Sequence, residues 1–470
     1  LDAGQRCKTS ALIIFEKRVI FLLQSLSNEK TVESVKRDGC FSVGYSKVEI
    51  MPENIDSDKY WMAGFKTRNR INGVFDSLYA SAVWIDNKSE SGGIVLVSVD
   101  CLGLTGYDVE KVRAMLKEFC EISGCNSIDI IATHTHAGID TVGIWGPLPK
   151  TGRNKKYMNI VYSGIVRCVK NAYENRRNGC LFFGYTDVRG IQNRGRTPYC
   201  IASKLKRIKF VPDDGSNEVW IVSFDMHPNS MGRFNSSVSA DYPGYLRKNV
   251  KEKHNADLIY FAGAIGGVGT KREGDSPLQY AVAIGNLLTE KFDEINNETQ
   301  ISANIRYIKK ECFFEVENPV LFLLGMFGII KTNKCPTGGK FKRIKKSELT
   351  YLCIGEIEIL MLPGEIFPEL VYGGYLESEE TANLTPPSIN PLPLAKIAQN
   401  DELIIFGVAN DLIGYIVPPN DFYLHNRYPY FVSAYDRLGR SHYNETNSLG
   451  PKTAQKIADV FLQIKNELIE

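Results

Sequence analysis

Histidine is scarce, with six in 470 residues. The eleven cysteines are scattered and include no Cys-x-x-Cys pair. That excludes a zinc ribbon and a densely disulfide-stapled scaffold, and leaves reduced, mostly buried thiols as the expectation. An excess of one charge is also missing. Lys and Arg number 56 against 54 Asp and Glu, a formal net charge of +2, which gives no footing for nucleic acid or a strongly acidic partner. No apolar run reaches the roughly 20 residues that a membrane-spanning helix needs. The stretch at 11–23 is broken by Glu16, Lys17 and Arg18 and makes a poor signal segment. The most apolar run, PVLFLLGMFGII at 319–330, is expected to form a core helix or the wall of a lipid-facing pocket.

What is present reads as an α/β chain. Residues 1–39 are polar and lysine-rich beyond their apolar patch and are expected to be a loosely attached leader, with one large domain over 40–470. Continuous apolar, β-branched runs predict strands at 94–99, 127–133, 219–226, 258–266, 353–362 and 402–410. Helical spacing of apolar residues predicts helices at 107–122, 159–177, 278–295 and 452–469. The basic stretch 331–350 is expected to be a solvated loop, and 385–400, with four prolines, an extended connection. The fold class expected is mixed β-sheets flanked by helices.

Two of the six histidines stand one residue apart in IIATHTHAGID, at 134 and 136. If the strand before them continued, both would point to one face. Asp100, His134, His227, the GGVG run at 266–269 and Glu365 each follow an apolar run. Polar groups at strand ends are where open α/β sheets build sites. Neutral imidazole is the commonest metal ligand, and catalytic zinc takes histidine and carboxylate. From spacing alone, the pair is either a metal site or two polar residues bonded within a turn.

Several segments, in order, resemble the neutral, non-lysosomal ceramidase family from about Phe41 onward. They are VGYSKVEIMP with WMAGF, RINGVFDSLYASAVWID, SVDCLGL, ATHTHAG, NRGRTPY, HPNSMGRFNSSVSADYPGY, LPGE, NDLIGYIVPPNDF and LGPKTAQ. The resemblance implies one zinc ion held by His134, His227, Glu365 and Tyr415. It implies an amide hydrolase acting on ceramide or a related N-acyl amphiphile through a zinc-activated water. His136 is then the candidate for proton transfer and Arg194, in QNRGR, for stabilising the developing oxyanion. The implied partner is an amphiphilic N-acyl lipid, with peripheral contact to a membrane and none to nucleic acid.

Two departures from the family pattern stand out. The family reads Gly-Asp-Val-Ser-Pro-Asn where this chain reads GGVGTKREG, so Gly267 replaces the acid and Gly269 the serine. Typical members also continue into a C-terminal β-sandwich, which is not expected within 40–470. The alternatives are a zinc hydrolase of another ester or amide, and a non-catalytic lipid-binding relative. Metal content separates the last from the enzymes, and a substrate panel separates the enzymes from each other.

Overall fold

The structure, a computed structural model, describes residues 29–35, 40–55, 59–89, 92–196, 202–272, 276–333, 343–384 and 389–468. The larger sheet runs, in spatial order, Asp257–Ala262, Val219–Phe224, Lys204–Pro212, Arg177–Asp187, Phe41–Glu49, Tyr79–Asp86, Gly93–Val99 and Cys125–Ala132, with Thr299–Gln300 added on Arg177–Asp187. Its two outermost pairs are parallel, and the pairs between them are antiparallel. The second sheet runs Glu29–Val35, Asn304–Glu315, Ile344–Ile354, Ile357–Met361 and Ile404–Phe406.

Period-two alternation sets the layers. Val83, Ile85, Ile94 and Leu96 face the second sheet and meet its Tyr307, Leu352, Ile359 and Phe406. Their neighbours Ala82, Trp84, Val95 and Val97 face outward and pack with Val161 and Ile165 of helix Lys155–Glu174 and Leu246 and Val250 of helix Tyr242–His254. On the far side, Ile308, Leu349 and Tyr351 meet Ile457, Phe461 and Ile464 of helix Lys452–Glu467. The result is helix, sheet, sheet, helix, as the mixed-sheet reading expects. Each fully buried aliphatic side chain contributes about 1.5–3 kcal/mol relative to exposure.

The larger sheet coils until its two parallel edges approach, with Ser98 Oγ donating to the Tyr260 carbonyl at 2.6 Å. The chain after Ile404–Phe406 then stitches three strand ends together. Gly407 N donates to Ala262 O at 2.8 Å, Ala409 N to Leu362 O at 2.8 Å, and Asn410 N to Ile130 O at 2.8 Å. Val408 N reaches Gly364 O at 3.2 Å, and Val408 O accepts from Ala132 N at 3.3 Å. Val408 (φ 54°) and Asn410 (φ 60°) lie in the left-handed region, which for a β-branched valine is a genuine outlier. These bonds hold it there.

Asn410 adds side-chain bonds at the same seam. Its Oδ1 accepts from Ile130 N at 2.8 Å and its Nδ2 donates to Asp129 Oδ1 at 2.7 Å. Asn410→Ala takes the side-chain acceptor from the buried Ile130 N–H, removes one of the donors to Asp129 and puts alanine at positive φ, and should cost about 1–3 kcal/mol in a urea unfolding titration. A loss under about 0.5 kcal/mol would contradict the stitching role.

Several local expectations are corrected. The 107–122 helix is two, Gly106–Met115 and Lys117–Ser123, because Leu116 turns into the core at φ −101°, ψ 5°. The 353–362 strand is the turn and second arm of a hairpin, Ile344–Ile354 and Ile357–Met361, folded at Gly355 (φ 54°). The 402–410 strand shortens to Ile404–Phe406. The basic stretch is strand from Ile344, since Lys345 pairs with Asp411 at 2.9 Å and Lys346 with Glu311 at 2.5 Å; residues 334–342 lie outside the described residues. The 385–400 connection contains a short helix, Leu394–Ala398, because Leu394 and Ile397 bury on the second sheet's helical layer; residues 385–388 lie outside the described residues. Within 1–39, Glu29–Val35 is an edge strand on Asn304–Glu315, and residues 1–28 and 36–39, including the 11–23 patch, lie outside the described residues. The 319–330 run gives helix Pro319–Met326, which buries none of its residues and so is not a core helix. No helix among the described residues is long and apolar enough to cross a membrane.

Candidate active site

The strand Cys125–Ala132 stops before the histidines, so the shared-face argument for His134 and His136 is corrected. The chain leaves the strand through His134 at φ 67°, with Thr133 N donating to Val99 O at 2.9 Å and His134 N to Cys101 O at 3.0 Å. The turn, rather than strand alternation, brings the rings together. The centroids of His134 and His136 are 5.0 Å apart, those of His134 and His227 5.0 Å, and those of His136 and His227 5.4 Å.

His227 follows Val219–Phe224, and its backbone N and its Nδ1 both donate to the Val268 carbonyl, at 3.0 and 2.8 Å. Glu365 and Tyr415 are brought side by side by a two-residue parallel pairing, Glu365–Ile366 on Tyr415–Ile416. His134, His136, His227, Glu365 and Tyr415 are all buried.

The hydrogen bonds define what the cluster can hold. His134 Nδ1 donates to Leu102 O at 2.6 Å, as His227 Nδ1 does to Val268 O. A neutral imidazole so bonded presents a lone pair at Nε2. Both Nε2 atoms nonetheless face Glu365 Oε2, at 3.4 Å from His134 and 2.9 Å from His227. Two lone pairs aimed at a carboxylate oxygen need a cation or extra protons between them. His134, His136 and His227 offer ligand atoms all within 4.8 Å of one another. The donor set, with His134 and His227 anchored through Nδ1 by backbone carbonyls, fits a divalent metal ion.

Electrostatics follow from this packing. Burial acts to raise the Glu365 carboxyl, but the adjacent His134 and His227 outweigh it and hold it well below the usual carboxylate range. Burial, reinforced by the two neighbouring imidazoles, pushes His136 well below its ordinary value. Both His136 ring nitrogens are buried without a hydrogen-bond partner. Phe65 tilts onto the His136 ring at 4.8 Å. Tyr415 is pushed up by burial and by the charge of Glu365, and its hydroxyl lies 3.3 Å from that of Tyr443.

Arg194 stands on a different wall. Its strand, Gln192–Arg194, pairs with Val268–Thr270, placing Arg194 opposite the Val268 that anchors His227. The guanidinium forms a buried ion pair with Glu369 and lies 5.4 Å over the Phe367 ring, while Phe367 packs edge-on to Tyr415 at 6.3 Å. Arg194, Arg196, Phe367, Glu369, Asn420 and Asp421 line a small cleft there. Asp100, another strand-end residue, is locked to Arg247 in a buried two-bond ion pair and belongs to the framework.

Sequence reasoning missed Glu369, Phe367, Tyr443 and Gly64. Glu369 lies on the short helix Pro368–Tyr372 that follows the short strand Glu365–Ile366, so no single periodicity links it to Glu365. Gly64 sits in the WMAGF turn at φ 113°, where a Cβ would meet His136 Nδ1 at 2.6 Å. A second cluster, Asp421, Asp436 and His442, has metal-like spacing. Arg440 already fills it, bonding Asp436 at 2.7 Å and Asp421 at 3.0 Å, and Arg196 bonds the neighbouring Glu445 at 2.8 Å. It is an ion-pair network.

Fold and cluster together define a four-layer protein with a buried histidine–carboxylate cluster whose ligand atoms are spaced so that they could hold a metal ion. The family model for the N-terminal part of neutral/alkaline non-lysosomal ceramidases matches residues 41–279, and the chain belongs to that family. A neutral ceramidase of Oryza sativa subsp. japonica is 22% identical over 203 residues, covering 39% of this chain and 26% of the rice protein. The match thus spans about a quarter of that relative's length. The crystal structure of neutral ceramidase from Pseudomonas aeruginosa superposes with a TM-score of 0.67 at 17% identity, covering 92% of this chain and 75% of that one. A ceramidase complexed with C2 gives 0.64 at 17% identity, with the same coverage.

Proposed function

We propose that the chain is a zinc-dependent amidohydrolase that cleaves the N-acyl amide bond of ceramide or a related N-acyl amphiphile. The observation that carries the reading is the convergence of His134 Nε2, His227 Nε2 and Glu365 Oε2 on one buried point, with both Nδ1 atoms already committed to carbonyls. His134, His227, Glu365 and Tyr415 would hold the metal. When bound, zinc would polarise the amide carbonyl and acidify a water beside it. A cation there would also offset the burial and the Glu365 charge that keep the Tyr415 phenol protonated.

His136 does the proton work in this reading. Its unpartnered nitrogens let it take a proton from the attacking water and deliver it to the nitrogen of the leaving amine as the C–N bond breaks. Burial keeps competing solvent away from both steps. Arg194, fixed by Glu369 and Phe367, is the candidate for holding a substrate oxygen.

Gly269 offers no nucleophile, and the adjacent Thr270 hydroxyl is engaged, donating to Asn229 Oδ1 at 2.9 Å. Water is therefore the attacking group. Thr270→Ala should keep most of the activity, and rapid-quench mass spectrometry should find no acyl-enzyme. A trapped acyl adduct on any serine or threonine contradicts this. A panel of N-acylsphingosine, N-acyl amino acids and simple esters tests the substrate class. Turnover of the amides supports the reading, and turnover of esters alone rejects it.

A further inference from the structure

The larger sheet falls into two halves. Phe41–Glu49, Tyr79–Asp86, Gly93–Val99 and Cys125–Ala132 lead to His134 and His136, and Arg177–Asp187, Lys204–Pro212, Val219–Phe224 and Asp257–Ala262 lead to His227. The outer edges of the halves approach at Ser98 and Tyr260. Their inner edges join through a short ladder, Phe41, Ser42 and Val43 on Gly179, Asn178 and Arg177. Beyond it the strands part. Phe41–Glu49 stays with Tyr79–Asp86 as far as Glu49, and Arg177–Asp187 stays with Lys204–Pro212 as far as Asp187. The short ladder is therefore the hinge of the coiled sheet.

Two cysteines stand at the end of that hinge. Continued by one position, the register that sets Phe41 against Gly179 sets Cys40 against Cys180. Opposed residues of an antiparallel pair have Cα atoms about 4.5 or 5.5 Å apart, and both spacings fall within the range of about 4.4–6.8 Å that a disulfide spans. The faces agree as well. Phe41, Val43, Leu181 and Phe183 turn into the core between the sheets, so Cys40 and Cys180 turn to the opposite face.

Their surroundings place the two thiols in one patch. Cys40 Sγ lies 3.9 Å from Asp213 Oδ2, and Asp213 N donates to Asn178 O at 2.8 Å, which keeps Cys40 beside the second strand. The Cys180 thiol is pushed up by burial, and further by Cys40 and Asp213, as crowding of the three groups requires. Among the described cysteines, Cys101, Cys125, Cys168 and Cys312 are buried, whereas Cys40 and Cys180 are partly exposed. The patch is remote from the histidines. Val99, at the site end of its strand, pairs with Ala80, and Ala80 with Val48, so Cys40 lies at the other end of the sheet.

We infer that Cys40 and Cys180 are a redox-modification site, at which a small-molecule disulfide such as oxidised glutathione closes a cross-strand bridge that locks the hinge between the two halves. One cysteine, as thiolate, attacks a sulfur of the small disulfide and expels one glutathione thiolate. The other gives its proton to solvent and attacks the mixed disulfide, expelling the second. Two protein thiols are oxidised, and one small disulfide is reduced to two thiols. The bridge spans residues 40 to 180, and closing so long a loop removes much freedom from the unfolded chain.

The test is incubation of the full chain with oxidised or reduced glutathione, followed by alkylation, digestion and mass spectrometry without reduction, with thermal unfolding of each form. The oxidised protein should yield a peptide pair joined through Cys40 and Cys180, and its Tm should rise by about 3–10 °C. A strong reductant should reverse both changes. Cys40→Ser and Cys180→Ser should each lose the joined peptides and the shift, while melting with the parent when all are reduced. Neither readout depends on amide hydrolysis. Oxidation that leaves glutathione on both cysteines, or that joins Cys120 to Cys125 and leaves Cys40 and Cys180 as thiols, overturns the proposal. So does a Cys40–Cys180 bridge that leaves Tm unchanged, since a locked hinge must resist unfolding.

Discussion

His134→Ala and His227→Ala should each purify without stoichiometric zinc and lose amide hydrolysis by about 10³-fold or more. Either substitution removes one of the two Nε2 atoms that face Glu365 Oε2. It also breaks up the set of Nε2 and carboxylate atoms that would share the cation at one buried point. Loss of a ligand and loss of the metal's charge act together, so the effects should not add in the double variant. Elemental analysis of the purified proteins checks this. Full zinc occupancy in both single variants would mean that the metal, if bound, sits elsewhere.

His136→Ala should behave differently. With its ring nitrogens free of other duties, His136 is read as a proton carrier, so its removal should lower turnover by about 10²–10⁴-fold and leave the zinc content intact. Loss of zinc would instead make it a ligand, which its place within 4.8 Å of the other two histidines makes a real alternative. Gly64→Ala provides an independent check from the other side of the ring. At φ 113°, with His136 Nδ1 2.6 Å from the added methyl, it must either push the imidazole or strain the turn. It should reproduce the turnover loss of His136→Ala while retaining zinc. Unchanged turnover in Gly64→Ala would show that the ring position is not critical.

Much of the scaffold is visible in the one-dimensional pattern because burial repeats with a short period. IVLVSV at 94–99 is a strand whose alternate residues fill two different cores, and KTAQKIADVFLQIKNELI holds a helix whose apolar stripe faces one sheet. The strand-end rule points to His134, His227 and Glu365 for a physical reason, since the larger sheet coils until the ends before His134 and His227 approach, and the 407–410 segment ties the second sheet's Leu362 and Gly364 to them. The way His134 and His136 converge is not legible, because it depends on a left-handed residue that no periodicity announces. Tyr415 is likewise invisible without the family resemblance. Its partner Glu365 is 50 positions away and is fixed only by a two-residue pairing. The 319–330 run misleads for a related reason. Val320, Leu321 and Phe322 of its helix pack half-buried against the second core while Leu323 and Phe327 stay exposed, and composition alone does not say how far an apolar segment sinks into a core.

The most direct measurement is metal-dependent product formation. Protein dialysed against a chelator, then supplied with zinc, should regain hydrolysis of N-acylsphingosine, with free fatty acid and sphingoid base appearing in equal amounts by mass spectrometry and one zinc retained per chain. Equal hydrolysis by the chelated and the zinc-restored protein, or stoichiometric zinc binding without cleavage of any N-acyl amide, would contradict the account.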